Sequence, residues 1–550
     1  MRHVLRTLEA PAARRWILLA AFVLFAWNIW GYDLWAPDEP FFGEGAREMI
    51  ADGRWLVPFV NGEVNNHKPP LFFWLIALFS LPFGEVLSAT ARLPSAIAAV
   101  ISVWATMRMT ERAATHRAGL LAGAVLATSF MFWEKARMAQ IDSLLCCLIT
   151  LALLAFSEYR AGLLSGRAAG IAFWAACALA TLAKGPVGLV IPLGTVILVL
   201  ALERSLSRWL EFAPVLGPLT FAAIGGVWIT ALALWPVEGY SVLGALREHF
   251  VDRGLSGLHH ARPWWYYAGV LPWASFPWSL VLPGALIYAW RQRANAAVRL
   301  PLVHIAFVVL FFSLSAEKRD LYILPALPAM AVLVALFIES LSRSGEPAAA
   351  GNGLSQRWLA VPLRLVGAVV ILAGLVVPAL AYQRYPDLRG ASAVFAVIFV
   401  GGGALITNAA WRARPAAAVR YTILAMAAVL LGVATGYPAL NAKKSGRALA
   451  GEVAKAVATM GEPEVPIAGL DISNVVRPIN LYSGGLYLQT MEAGETQPLL
   501  DLLAAGRPFV LVADRASLPP LAPADAGRLV EVYETHLSRR DLVVFKVVGR

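Results

Sequence analysis

Residues 14–33 read RRWILLAAFVLFAWNIWGYD, and how this stretch is taken decides the fold. An apolar run from Trp16 to Trp30 behind Arg14-Arg15 is how a secretory leader begins. A leader would close on small residues at a cleavage site. This run closes on Trp30-Gly31-Tyr32-Asp33, and further apolar runs follow it, so it reads as an uncleaved first membrane span.

The rest of the chain agrees with that reading. Its 550 residues are 59% hydrophobic and only 15% charged, and mean hydropathy is +0.65. A soluble globule carries charge on about a quarter of its residues. A span needs about 20 apolar residues, and such runs recur near 16–32, 86–108, 119–133, 142–158, 168–183, 186–202, 213–235, 264–289, 300–315, 321–341, 362–382, 391–411 and 420–436. The pattern predicts a polytopic α-helical membrane protein of thirteen spans. Leu71 to Phe83 is apolar but short and ends at Pro82 and Gly84, which predicts a helix along the interface.

The net charge of +11 reports topology, because the basic residues sit in short connectors between apolar runs. This excludes a nucleic-acid-binding face. With the N-terminus inside, the inner connectors hold twenty arginines against seven acids, while all eight lysines fall in outer loops or the C-terminal tail. Arginine-rich connectors belong inside, so the C-terminus is expected outside. Cys146, Cys147 and Cys177 lie within apolar runs and offer neither a disulfide framework nor a metal spacing.

Past residue 437 the pattern becomes that of a soluble domain. Ser445 to Met460 reads as an amphipathic helix, and Pro508–Asp514, Leu529–Thr535 and Asp541–Val548 read as strands. The expected organisation is a membrane domain over 1–436, with a large first outer loop at 33–85, and a small outer α/β domain over 437–550.

The first outer loop opens with Pro37-Asp38-Glu39-Pro40 and closes with Asn65-Asn66-His67-Lys68-Pro69-Pro70. Pro40 suits a helix start, and Glu44, Arg47 and Glu48 follow at helical spacing, which puts Asp38 and Glu39 at a helix N-terminus. There they can serve as caps and as favourable charge on the helix dipole, or as reacting groups. Lys68 can set its ammonium at headgroup level, whether for a bound phosphate or as an ordinary snorkelling side chain. Asp142 stands at the outer start of the fourth span, where an ionisable group marks function or a buried pair. Lys184, before Gly185-Pro186, reads as part of a structural turn with a headgroup contact.

Pro37-Asp38-Glu39 and Lys68-Pro69-Pro70-Leu71 resemble motifs of the polyprenyl-phosphate-dependent glycosyltransferases of the GT-C fold. So do Leu182-Ala183-Lys184-Gly185-Pro186, the outer loop from Glu248-His249 through Arg253 to His260 and Tyr266, and Ser315 to Pro325 with Lys318 and Tyr322. As an ordered set these cover most of residues 30–330. Thirteen spans with an outer C-terminal domain look most like the lipid A aminoarabinose transferases within that family. The resemblance implies transfer of 4-amino-4-deoxy-L-arabinose from undecaprenyl phosphate to a lipid A phosphate, at the periplasmic face of a bacterial inner membrane. Its implied partners are the polyprenyl-linked donor, lipid A and membrane lipids. The related protein O-mannosyltransferases share the first-loop acids and are the alternative.

Such a donor leaves as a phosphate, so negative charge grows there as the glycosidic bond breaks and cations are needed. Lys68, Arg253, Lys318 and Tyr322 supply the matching groups, with His249 and His260 in the same family-like loop. Asp38 matches the catalytic acid, Glu39 stands beside it, and Asp142 matches an acid of the family's short outer turn. A lipid A phosphate is already anionic, so Asp38 would orient the acceptor, steady oxocarbenium-like charge or bind the aminosugar ammonium. A protein hydroxyl acceptor would instead need Asp38 or Glu39 as a base. His67, His249, His259 and His260 could join outer acids around a divalent metal, but no ligand spacing fixes one and the metal is left unassigned. A lipid-linked sugar transporter would place ionisable groups near the bilayer midplane. Here they gather at span ends, and His304, the plain exception, reads as a core histidine.

Overall fold

A computed structural model describes residues 11–66, 68–242, 244, 262–343, 355–384, 389–461, 465–472, 475–492, 494–537 and 540–549. The chain divides into two compact units. One comprises residues 1–29, 66–71 and 92–436, and the other residues 30–65, 72–91 and 437–550.

The first unit is helical. Among the described residues of the whole chain, nine helical stretches are long and apolar enough to cross a membrane. Ser88–Ala113, Ile141–Arg160, Gly166–Lys184, Leu216–Leu234 and Ala296–Leu314 are examples. Two of these starts are closed by local side chains: Ser165 accepts from the Ala168 amide at 3.2 Å and Asn295 from the Ala297 amide at 3.0 Å. Each satisfies one of the amides a helix start leaves open. Within Ser88–Ala113, the hydroxyls of Ser102, Thr106 and Thr110 each bond the carbonyl four residues back, so hydroxyls can be buried between spans at no polar cost.

Four of the thirteen apolar runs form shorter or broken helices. The run at 119–133 divides into His116–Ala127 and Phe130–Ala136. At the break, Thr128 Oγ1 bonds the Ala124 carbonyl at 2.7 Å and Ser129 Oγ that of Val125 at 2.8 Å, while the Phe130 amide turns to Phe276. The run at 264–289 divides into Tyr266–Ala274, Trp278–Leu280 and Leu282–Arg291. Pro272, Pro277 and Pro283 withhold three amides there. Pro11–Ala26 and Val187–Leu202 have 16 residues each.

Arginines tie the short first helix down. Arg137 donates to the carbonyls of Leu24 and Phe25, both at 3.1 Å, Trp133 Nε1 donates to Leu24 at 3.0 Å, and Arg92 donates to Ile29 at 2.8 Å. Buried guanidinium groups thus serve the open carbonyls at a helix C-terminus. His304 is buried, with its ring nitrogens 2.9 Å from Thr195 Oγ1 and 3.0 Å from the Pro325 carbonyl, as its reading as a core residue required.

The second unit carries a five-stranded sheet in the order β4-β3-β5-β7-β6. Its strands are β3 (Ile467–Leu470), β4 (Gln489–Met491), β5 (Phe509–Asp514), β6 (Leu529–Leu537) and β7 (Arg540–Val547). β3 runs parallel to β4 and β5, and β7 antiparallel to β5 and β6. β5 is buried on both faces, so its apolar letters run continuously. Val510 and Val512 pack with Leu449 and Val453 of the helix Arg447–Ala458, while Phe509, Leu511 and Ala513 pack with Leu499 and Leu503 of Gln497–Ala504. Two residues of the first loop form β1 (Phe59–Val60), which pairs with β2 (Glu63–Val64) across an Asn61-Gly62 turn. Both residues of that turn have positive φ, 62° and 74°.

The helix Asp38–Asp52, Leu71–Ser80 and the start of Ser88–Ala113 group with the C-terminal segment rather than with the remaining spans. Asp33 shows how the loop is fixed there: it accepts from Ser445 Oγ at 2.6 Å and from Arg447 Nε at 2.8 Å.

Candidate active site

Asp38 begins the helix Asp38–Asp52, where carboxylates complement the helix dipole. No side chain caps this start. Glu39 is fully buried, and its Oε2 accepts from the Trp35 amide at 3.0 Å, which closes the turn entering the helix. Two neighbouring acids therefore have different surroundings, and only Asp38 keeps partial exposure.

Arg477, from the helix Val476–Ser483, lies against this first turn. Its guanidinium sits 4.6 Å over the Phe41 ring and donates to the Pro37 carbonyl at 3.5 Å. Burial pulls Arg477 below its ordinary value, and the charge of Asp38 opposes that.

One turn on, Glu44 takes both forks of Arg47, at 2.8 and 2.9 Å. Glu48, fully buried, accepts from the Gly62 amide at 3.1 Å. Burial, with Glu44 adding to it, pushes the Glu48 carboxyl up to about 7, although the Gly62 bond and Arg47 act the other way. Burial likewise raises Tyr487, and Glu48 adds to the rise.

A second cluster lies in the helical unit. Asp142 is in the first turn of Ile141–Arg160, Lys184 ends Gly166–Lys184, and Tyr322 lies in the 3₁₀ segment Asp320–Ala326. Lys184 Nζ pairs with Asp142 Oδ1 and stands 4.8 Å over the Tyr322 ring. Both charges are largely buried, with side-chain exposures of 9% and 12% for Asp142 and Lys184. An acid at a helix N-terminus and a lysine at a C-terminus also each complement their own dipole. Gly185, at φ +83°, makes the turn that delivers Lys184, and a side chain at Gly188 would strike the backbone of Ala180. Lys184 is therefore directed inward to Asp142, which replaces the headgroup contact expected for it.

Lys318 is buried and donates to the Arg262 carbonyl at 3.0 Å and to that of Ser315. Burial pulls it below its ordinary value. Its acidic neighbours in sequence are Glu317 and Asp320, but the partners of its ammonium are these two carbonyls. Tyr322 packs on Phe312, ring centroids 5.1 Å apart. Lys68 is half-buried in the same unit.

Lys184 thus joins Asp142 and Tyr322, and Asp38 and Glu39 share one turn with separate roles. His67, His249, Arg253, His259 and His260 lie outside the described residues. Among the described residues, no group of three or more histidine, cysteine or acidic side chains could hold a metal.

Comparison with known proteins bears on this geometry. The family profile described as dolichyl-phosphate-mannose-protein mannosyltransferase matches residues 67–228. A relative from Pseudomonas aeruginosa PAO1, named undecaprenyl phosphate-alpha-4-amino-4-deoxy-L-arabinose arabinosyl transferase, is 30% identical over 428 residues, 76% of this chain and 73% of its own length. The chain belongs to that arabinosyl transferase family.

An uncharacterised protein from Aquifex aeolicus is 30% identical over 333 residues, spanning 59% of this chain and 64% of its own length. An arabinosyl transferase from Pseudomonas fluorescens Pf0-1 is 28% identical over 347 residues, and the match spans 60% of its length. The fold is that of ArnT from Cupriavidus metallidurans. Its apo crystal structure superposes with a TM-score of 0.75 at 21% identity, covering 97% of this chain and 98% of the other. The form bound to undecaprenyl phosphate gives the same TM-score at 22% identity. This member of the arabinosyl transferase family is a multi-pass GT-C membrane protein, and the family is one of glycosyltransferases with polyprenyl-phosphate donors.

Proposed function

We propose that this chain transfers 4-amino-4-deoxy-L-arabinose from undecaprenyl phosphate to a phosphate of lipid A, at the periplasmic face of a bacterial inner membrane. The observation that carries the reading is the match over 76% of the chain to a transferase named for that donor. Thirteen spans, with residues 437–550 as an outer domain beside a membrane domain of 1–436, belong to the same proposal. The positive-inside distribution of arginines supports this orientation.

The reaction forms a bond from an acceptor phosphate oxygen to C1 of the sugar. It breaks the C1–O bond to the carrier, whose phosphate leaves with the electron pair. The acceptor is anionic at neutral pH, so no base has to remove a proton. The cost lies in charge growing on the leaving phosphate, which preorganised donors lower. Lys68, Lys318, Arg253 and the Tyr322 hydroxyl are assigned to that phosphate, with His249 and His260 as further donor contacts. Lys318 is held by carbonyl oxygens, whereas the charge of Lys184 is balanced by a carboxylate. Asp142 accordingly acts through Lys184, fixing it against Tyr322. Asp38 is assigned to the ammonium or the developing positive charge of the sugar, and Glu39 to holding the turn that presents it.

Mass spectrometry of lipid A tests this, in a transferase-deficient Gram-negative strain that still makes the aminoarabinose lipid. The expected result is a gain of one aminopentose with the wild-type chain and no gain with Asp38→Asn. No gain from wild-type chain present in the membrane would move the reading to hexose donors and protein acceptors, which the match of residues 67–228 to a protein mannosyltransferase family would then favour.

A further inference from the structure

We infer that Arg477, from the C-terminal segment, is a positioning residue for Asp38: it clamps the first turn of the helix Asp38–Asp52 from both sides of the carboxylate. The inference rests on the role proposed above for Asp38. It also gives the C-terminal segment a part in the reaction.

The contacts bracket Asp38 in sequence. Arg477 donates to the carbonyl of Pro37, one residue before it, and stacks 4.6 Å over the ring of Phe41, three residues after it. A planar guanidinium can do both at once, with its face on a ring and its edge at a carbonyl. Asp38 itself is the charge that favours the Arg477 cation. One side chain therefore touches the backbone before the acid, a side chain after it, and the field of the acid itself.

A clamp works only if its own support is fixed, and the helix Val476–Ser483 is held on two sides of the same loop. Tyr482 accepts from the Leu34 amide at 2.6 Å, ahead of Asp38. Asn480 and Asn61 bond at 2.6 Å, beyond the far end of the Asp38 helix. Between them, Leu481 packs so near that a side chain at Gly43 would meet it. Ile479 and Asn480 are fully buried. The arginine thus projects from a rigid element onto the turn that carries Asp38.

Arg477→Lys keeps the charge, whereas Arg477→Gln keeps much of the length without it. The test uses the purified full-length chain in lipid nanodiscs, with an undecaprenyl-phosphate-linked aminosugar and lipid A, and measures kcat and the donor KM. Arg477→Gln is expected to lower kcat on the order of tenfold to a hundredfold, the cost of a misplaced reacting group, with donor KM little changed. Arg477→Lys is expected to recover most of the loss. Placed in an Asp38→Asn background, Arg477→Gln is expected to cost nothing further, because it acts only through that carboxylate.

Equal activity of the Lys and Gln variants, or full additivity with Asp38→Asn, overturns the clamp. Full kcat in Asp38→Asn overturns the role of Asp38 itself, and an inactive Asp38→Asn beside a fully active Arg477→Gln overturns only the clamp. Should Arg477→Gln fail to fold, Phe41→Leu removes the stacking alone. It is then expected to lower kcat at constant donor KM, and an unchanged kcat overturns the clamp.

Discussion

The two charged clusters both set carboxylates against a single cation and arrive at opposite solutions. At the ends of two spans, Asp142 meets a single lysine, Lys184, so acid and base are matched one to one. On the helix Asp38–Asp52, Glu44 and Glu48 share a single arginine, and Glu44 takes both of its forks. Glu48 keeps one amide and a like-charged neighbour in a buried place, and its carboxyl rises to about 7. Charge that reads the same in sequence is thus settled by who holds the cation. Asp38 belongs to neither pattern, since its arginine is shared with a ring and a carbonyl.

The largest expected effect separates a reacting carboxylate from a supporting one. Asp38→Asn should lower transfer by about a hundredfold or more, the scale set by loss of a group that stabilises developing charge. Glu39→Gln, which retains an oxygen for the Trp35 amide, should cost far less. Rates with purified enzyme and donor measure both, and equal losses would erase the distinction drawn between these neighbours.

Next in size is the matched pair. Removing one member of a buried ion pair strands the other, at a cost of about 3–5 kcal/mol. Asp142→Asn or Lys184→Met should each lower the thermal midpoint in detergent markedly. The double variant should lie nearer wild type than either single, and a double as unstable as the sum of the singles would show that the two are not coupled.

The shared-arginine cluster predicts pH dependence in place of stranding. Glu48 has a folded value of about 7 against an ordinary value of 4.5. Between these limits the folded chain binds the proton more tightly than the unfolded one does. Its contribution is therefore complete below about pH 4.5, is lost as pH rises through 7, and changes no further above that. The difference is on the order of 3 kcal/mol. Thermal unfolding from pH 5 to 8 should show a decline in wild type that is flattened in Glu48→Gln. An identical decline in both would assign it to other groups.

How much of this could be read from the sequence follows from the range of the interactions. The run at 142–158 falls in the helix Ile141–Arg160, and the strand runs at 508–514, 529–535 and 541–548 match β5, β6 and β7 to within a residue or two, because local periodicity carries both signals. Thr128 and Ser129 were legible as letters, but not as a break, since nothing local shows that their hydroxyls and the Phe130 amide have other partners. β3 and β4 are too short, at four and three residues, to announce themselves. For the proposed site, Asp38, Lys318 and Tyr322 stood out through motif resemblance, and the spacing of Glu44, Arg47 and Glu48 was plainly helical. The partnership of Lys184 with Asp142 spans 42 residues and that of Arg477 with Pro37 spans 440, and no periodicity reaches across either gap.

The smallest expected effect comes from a pair that completes the contrast, Asp471 and Arg540 within the C-terminal sheet unit. Burial pushes the Asp471 carboxyl up, but the hydrogen bonds from Ser517 and Arg540, with the Arg540 charge, outweigh it and hold the group below its ordinary value. Ser517 donates at 2.7 Å to one oxygen and Arg540 at 2.7 Å to the other. With two donors on the Asp471 carboxylate, the sign is the reverse of Glu48: the contribution is present above the ordinary carboxylate range and is lost as pH falls through the lowered value. Partial exposure limits its size to about 1 kcal/mol. Asp471→Asn should lower the thermal midpoint slightly at pH 7 and make no difference in strong acid. A larger loss at low pH than at neutral pH would contradict the direction assigned to Asp471.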